Sequence, residues 1–142
     1  MPRFRLLLVC TGNTCRSPMA EALAKQVLAD QPGVEVGSAG VFAGDGMPAS
    51  AEAVEAMKTL GLDLSGHRSR PLTPQMIDEV DQIYTMTESH RQAVLAQAPN
   101  AIDKVQRVDP EADISDPIGA GLEVYQDTAD QIKRALEFRL KE

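Results

Sequence analysis

Apolar residues fall along this chain in two rhythms. Short unbroken runs mark buried strands, and runs spaced by three and four mark helices with one face on a core. Residues 4–10, with Leu6, Leu7, Leu8 and Val9 in succession, predict a first strand. Residues 17–30 place Ala20, Leu23, Ala24, Val27 and Leu28 on one face and predict a helix that Gln31, Pro32 and Gly33 close. A short second strand is expected over 34–38. A helix follows over 50–60, with Ala53, Val54, Met57 and Leu60 inward and Gly61 as its terminator. Residues 73–79 predict a short helix, 82–86 a third strand, 87–97 a helix and 104–108 a fourth strand. Residues 109–121 carry four acids, two Asp-Pro pairs and two glycines, the composition of a loop. A last helix is expected over 122–141, with Tyr125, Ala129, Ile132 and Leu136 on its core side.

Strands that alternate with helices predict an α/β domain, with a central four-stranded parallel sheet and helices on both faces. In such sheets ligands bind beyond the carboxyl ends of the strands, where the loops after strands one and four emerge. The 142 residues fit one domain over 1–142, and 43% hydrophobic residues supply a core. The apolar run at 6–10 follows Arg3 and Arg5 as a signal core would, but Thr11, Gly12, Asn13 and Arg16 interrupt it. It therefore reads as a buried strand. A cytoplasmic monomer with no membrane partner is expected. The net charge of −7 argues against a nucleic-acid partner, yet one focused cationic pocket can still hold an anion. Two cysteines make no disulfide framework. A structural zinc site would need His67 and His90 as well.

The chemistry gathers between the first strand and the first helix, in Cys10, Thr11, Gly12, Asn13, Thr14, Cys15, Arg16 and Ser17. A loop over a helix N-terminus aims backbone N–H groups at one point, and the helix dipole adds positive potential there. Arg16 adds a planar fork that suits two phosphate oxygens. The field that draws in phosphate also favours thiolate over thiol at Cys10, an in-line nucleophile beneath a bound phosphoryl group. Gly12 lets the backbone approach the ligand, and Asn13 tolerates a left-handed turn. Ser17 followed by Pro18 suggests a helix N-cap, and Ser17 also suits a donor to the leaving thiolate. No Walker-type or Gly-x-Gly-x-x-Gly phosphate motif is present. Cys15 offers a reversible disulfide to an oxidised Cys10. His90 receives no role.

The stretch Val9-Cys10-Thr11-Gly12-Asn13-Thr14-Cys15-Arg16-Ser17-Pro18-Met19-Ala20-Glu21 resembles the signature of the low-molecular-weight protein tyrosine phosphatases. The likeness continues through Ser38-Ala39-Gly40, Gly66-His67-x-Ser69, Met86-Thr87 and Asp116-Pro117, and so covers essentially the whole chain. It implies a protein phosphatase with a phosphocysteine intermediate, a phosphorylated protein as substrate, and neither metal nor organic cofactor. Carried onto these positions, it makes Cys10 the nucleophile and Arg16 the phosphate grip. Asn13, Ser17, Ser38 and His67 become the braces of the loop. Two residues, Asp109 and Asp116, stand before proline and suit a general acid. The resemblance around Asp116-Pro117-Ile118-Gly119 selects Asp116, and Asp109 at the end of strand four has less reach.

Within the family, Thr14 stands where tyrosine phosphatases usually carry Ile or Leu. In this the loop resembles the bacterial protein arginine phosphatases. A threonine hydroxyl can accept a hydrogen bond from the N–H groups beside phosphorus in phosphoarginine. Phe42 and Ile118 are the other residues expected to select substrate. Ile118 departs from both branches, which tend to carry an aromatic residue there. Dephosphorylation of phosphoarginine is therefore expected, with phosphotyrosine as the alternative. A thiol-dependent arsenate reductase shares the nucleophile, but no relay cysteine follows Cys15. A binding module without catalysis would leave Cys10 and Asp116 without purpose.

Overall fold

The computed structural model describes residues 4–140. Four strands, β1 (Phe4–Cys10), β2 (Val34–Gly40), β3 (Gln82–Thr85) and β4 (Val105–Arg107), form one sheet in the order β2-β1-β3-β4. All three pairings are parallel. The helices are α1 (Arg16–Val27), α2 (Ala51–Lys58), α3 (Pro74–Glu79), α4 (Glu88–Gln97) and α5 (Leu122–Leu140), with a 3₁₀ turn at Pro99–Ala101.

Side chains of β1 alternate between two cores, as period two demands. Leu6 and Leu8 pack with Met19 and Leu23 of α1, Met57 of α2, and Ile132 and Leu136 of α5. Leu7 and Val9 pack with Ile77 of α3, Val94 of α4, and Ile83 and Val105 of the neighbouring strands. The sheet is thus covered on both faces, and the carboxyl end of β1 opens at the rim between the two layers. No described helix is long and apolar enough to cross a membrane.

Most expected boundaries move by one to three residues, and the differences are instructive. β2 runs on to Gly40 because Gly40 still pairs with Cys10. Thr87 and Ser50 lie outside their helices and cap them through side-chain oxygens. Ser17 is not a cap: α1 begins at Arg16, Cys15 holds the cap position, and no side chain caps this end. The first N–H groups of α1 are therefore left to whatever the loop binds. Position 141 of the expected last helix lies outside the described residues.

Gly40 sits directly beneath the loop after β1. A Cβ there would press on the Thr11 carbonyl oxygen and stand 2.8 Å from Ala43 Cβ and 3.0 Å from Asn13 N. Backbone on two sides cannot yield as a flexible side chain would. Gly40→Ala is expected to destabilise the fold by about 1–3 kcal/mol, read from urea unfolding, and to lower turnover with it. An unchanged midpoint and turnover would show that the loop is free to shift.

Candidate active site

Cys10 ends β1 with its side chain buried. Its Sγ lies 3.3 Å from the Asn13 N–H and 2.9 Å from Ser17 Oγ. Asn13 is the one non-glycine residue in the left-handed region among the described residues, with φ 57°. Gly12 is not in that region, and an added Cβ there would meet only Thr14 Oγ1, at 3.7 Å. The sharp turn is therefore made by Asn13, and Gly12 keeps the space above the loop open.

The four expected braces come together. Asn13 Nδ2 donates to Ser17 Oγ at 2.8 Å and to Ser38 Oγ at 3.0 Å. His67 Nε2 donates to the Asn13 carbonyl at 2.7 Å. Two further groups belong to the set. The Arg70 N–H donates to Asn13 Oδ1 at 3.0 Å, and Glu21 Oε1 accepts from Ser38 Oγ at 2.6 Å. Glu21 fixes the direction of the whole chain. Its carboxylate only accepts, so Ser38 donates to it and must itself accept from Asn13. Ser17 also accepts from Asn13, and its single proton is left for Cys10 Sγ.

Arg16 is 4% exposed although it is charged. Its Nη1 donates to the Ile114 carbonyl at 2.8 Å, and Nη2 lies 3.4 Å from Thr11 Oγ1 and 3.6 Å from Asp116 Oδ2. Its Nε is buried and has no acceptor among the described residues. Asp116 is partly exposed, takes the Ile118 N–H at 3.1 Å, and lies 3.9 Å from Cys15 Sγ. Asp109 faces elsewhere, bound to the Glu111 N–H and to Gln131. Of the two Asp-Pro residues, only Asp116 reaches the loop.

Cys10 and Cys15 are both free thiols. Burial, and then the neighbouring Cys10 sulfur, push the Cys15 thiol up to about 11, so it stays protonated at neutral pH. Thr14 is half-buried, and its hydroxyl takes no part in the bonds that brace the loop. Phe42 is 86% exposed and is tied to the loop by its N–H to the Thr11 carbonyl at 2.9 Å. Ile118 is 67% exposed beyond Asp116.

Besides Glu21 and Arg70, sequence reasoning missed His90. It is buried in the first turn of α4, with Nε2 2.8 Å from Thr11 Oγ1. A signal was available: the loop after β3 also emerges at the carboxyl end of the sheet. Burial first, and the Arg16 charge second, lower its pKa from 6.5 to about 4, against the opposing pull of Asp113 and Asp116. The unfolded chain therefore binds a proton at higher pH than the folded one. Stability falls as pH drops from 6.5 towards 4, by about 3 kcal/mol at most from this residue. His90→Gln should flatten that part of the curve in urea unfolding between pH 7 and pH 4.5. An identical slope in the variant would contradict the assignment.

Similarity to known proteins extends over nearly the whole chain. The model of the family described as low molecular weight phosphotyrosine protein phosphatase matches residues 5–142. A protein-arginine-phosphatase of Geobacillus stearothermophilus is 40% identical over 139 residues, 94% of this chain and 92% of the relative. A probable low molecular weight protein-tyrosine-phosphatase of Ralstonia solanacearum is 38% identical over 134 residues, 93% of this chain and 90% of the relative. Among solved structures, the low molecular weight protein tyrosine phosphatase from T. tengcongensis superposes with a TM-score of 0.92 at 39% identity, covering 97% of this chain and 98% of that one. The match spans nearly the whole chain in each case, and the chain belongs to the low molecular weight phosphotyrosine protein phosphatase family.

Proposed function

We propose that this enzyme hydrolyses phosphoarginine in proteins through a phosphocysteine intermediate on Cys10. The observation that carries the mechanism is the convergence on one loop of three groups: a buried Cys10 with a donor aimed at its sulfur, a buried guanidinium with an unpartnered N–H, and the Asp116 carboxylate. The backbone N–H groups of residues 11–17 and the Arg16 fork hold the phosphoryl oxygens. A ligand oxygen supplies the acceptor that Arg16 Nε lacks.

Cys10 Sγ attacks phosphorus while the bond from phosphorus to the leaving nitrogen breaks, and Asp116 passes its proton to that nitrogen. Asp116 then takes a proton from water as the water oxygen attacks phosphorus. The S–P bond breaks, phosphate leaves, and the thiolate returns. The Ser17 proton stabilises negative sulfur before attack and again on departure.

Thr14 supports phosphoarginine as the substrate. Its hydroxyl is unused by the braces and stands beside Gly12, where it can accept from the guanidinium of the substrate. An Ile or Leu there would leave those donors unpaired. The protein-arginine-phosphatase similarity supports the same reading. Ile118 gives no aromatic wall for a tyrosine ring to stack on. Phe42 at the rim, with its N–H bonded to the Thr11 carbonyl, is assigned a part in selecting substrate. A phosphotyrosine substrate would use the same nucleophile, grip and acid, with a phenolic oxygen as the leaving atom.

Thr14→Ile is expected to lower kcat/KM on a phosphoarginine peptide by about tenfold or more and to shift preference towards a phosphotyrosine peptide. An unchanged ratio would take the substrate argument away. Asp116→Asn should cut kcat by about 10²–10⁴-fold, while Asp109→Asn leaves it close to wild type. The reverse order would make Asp109 the acid.

A further inference from the structure

Two buried side-chain polar atoms have no partner among the described residues: Arg16 Nε and His90 Nδ1. The first belongs to the phosphate grip. The second belongs to a side chain that the reaction as derived does not use. His90 is 4% exposed, and its backbone N–H donates to Thr87 Oγ1 at 3.1 Å, which fixes it in the first turn of α4. Its Nε2 reaches Thr11 Oγ1 at 2.8 Å, and that same oxygen lies 3.4 Å from Arg16 Nη2.

The unpartnered Nδ1 decides where the proton sits. A neutral imidazole carries one N–H. On Nδ1 it would be a buried donor without an acceptor. On Nε2 it is satisfied by Thr11, and only an acceptor goes unpaired, which costs less. His90 therefore donates to Thr11 Oγ1. Arg16 Nη2 donates to the same oxygen from another side, and both lone pairs are taken. The Thr11 hydroxyl proton has to go elsewhere, and Thr11 is exposed at the mouth of the loop.

We infer that His90 is a positioning residue for phosphoryl transfer: it turns the Thr11 hydroxyl proton towards the oxyanion held by the loop and fixes Thr11 beside the Arg16 guanidinium. The inference rests on the reading that this loop holds the phosphoryl group. His90 touches no substrate and acts through Thr11. Its pKa, lowered to about 4 by burial and by Arg16, keeps the ring neutral around pH 7, so this donor pattern is the one present during turnover.

The test combines a mutant cycle with a spectroscopic signature. Thr11→Val, His90→Phe and the double variant are compared for kcat, KM and competitive inhibition by inorganic phosphate, with Thr11→Ser and His90→Gln as conservative partners. Each disruptive single change should weaken kcat/KM and phosphate inhibition by about tenfold, the worth of one hydrogen bond to a charged group. The double variant should be no worse than the poorer single, because both remove one unit. The conservative variants should recover most of the loss. In ¹⁵N-resolved NMR of the wild type, neutral His90 should carry its proton on Nε2.

A proton on Nδ1, additive losses in the double variant, or unchanged phosphate inhibition with only a lower Tm would overturn the inference. If His90→Phe does not fold, Thr11→Val and the tautomer measurement decide it. Turnover that dies in Cys10→Ser but ignores Thr11→Val sinks this inference alone. Turnover that survives Cys10→Ser sinks the loop reading and this inference with it.

Discussion

A loop that points its backbone N–H groups at an anion cannot spend them on holding itself together. Asn13 meets that constraint. Its φ of 57° makes the turn that brings its N–H back to Cys10 Sγ. Its side-chain N–H groups tie Ser17 of α1 and Ser38 of β2, while its Oδ1 and carbonyl oxygen take the Arg70 N–H and His67 Nε2. Three parts of the fold therefore hold the loop from behind, and its front is left to the ligand. The close seat on Gly40 and the uncapped start of α1 follow from the same arrangement.

The braces also impose a direction. Glu21 orients Ser38, Ser38 orients Asn13, and Asn13 leaves Ser17 a single proton to give to Cys10. On the other side, Arg16 Nη1 is anchored on the Ile114 carbonyl, and the Ile114 N–H is bonded to the Met86 carbonyl at the end of β3. The acid loop is thus tied to the same rim as the nucleophile. Cys10, Arg16 and Asp116 are held as one unit by β1, α1 and the segment between β4 and α5, and a shift in any of the three would be felt by the others.

The fold was legible because its strands are continuous apolar runs and its helices are periodic, and both report burial directly. The placing of Cys10 and Arg16 together was legible because they sit at a strand-to-helix junction, while Asp116 was separated from Asp109 by resemblance and not by spacing. The Ser17-Pro18 pair read locally as a cap, but the hydroxyl goes to Cys10 instead. Glu21, Arg70 and His90 were not legible because their bonds join distant parts of the chain: Glu21 acts through Ser38, 17 residues on, and Arg70 and His90 meet the loop from 57 and 79 residues away. Such contacts are set by how layers pack, and single-sequence periodicity carries no record of them. The Asn13 turn was legible only in part: the residue type tolerates a left-handed backbone, and the bonds that hold it there come from distant segments.

The proposed route carries the phosphoryl group through the sulfur of Cys10. The most direct measurement quenches the enzyme in acid during turnover of a phosphoarginine peptide and locates any covalent phosphoryl group by peptide mass spectrometry. One phosphoryl group is expected, on the peptide that carries both cysteines and fragmenting to Cys10. Turnover without that adduct, or with the adduct on Cys15, would contradict that route.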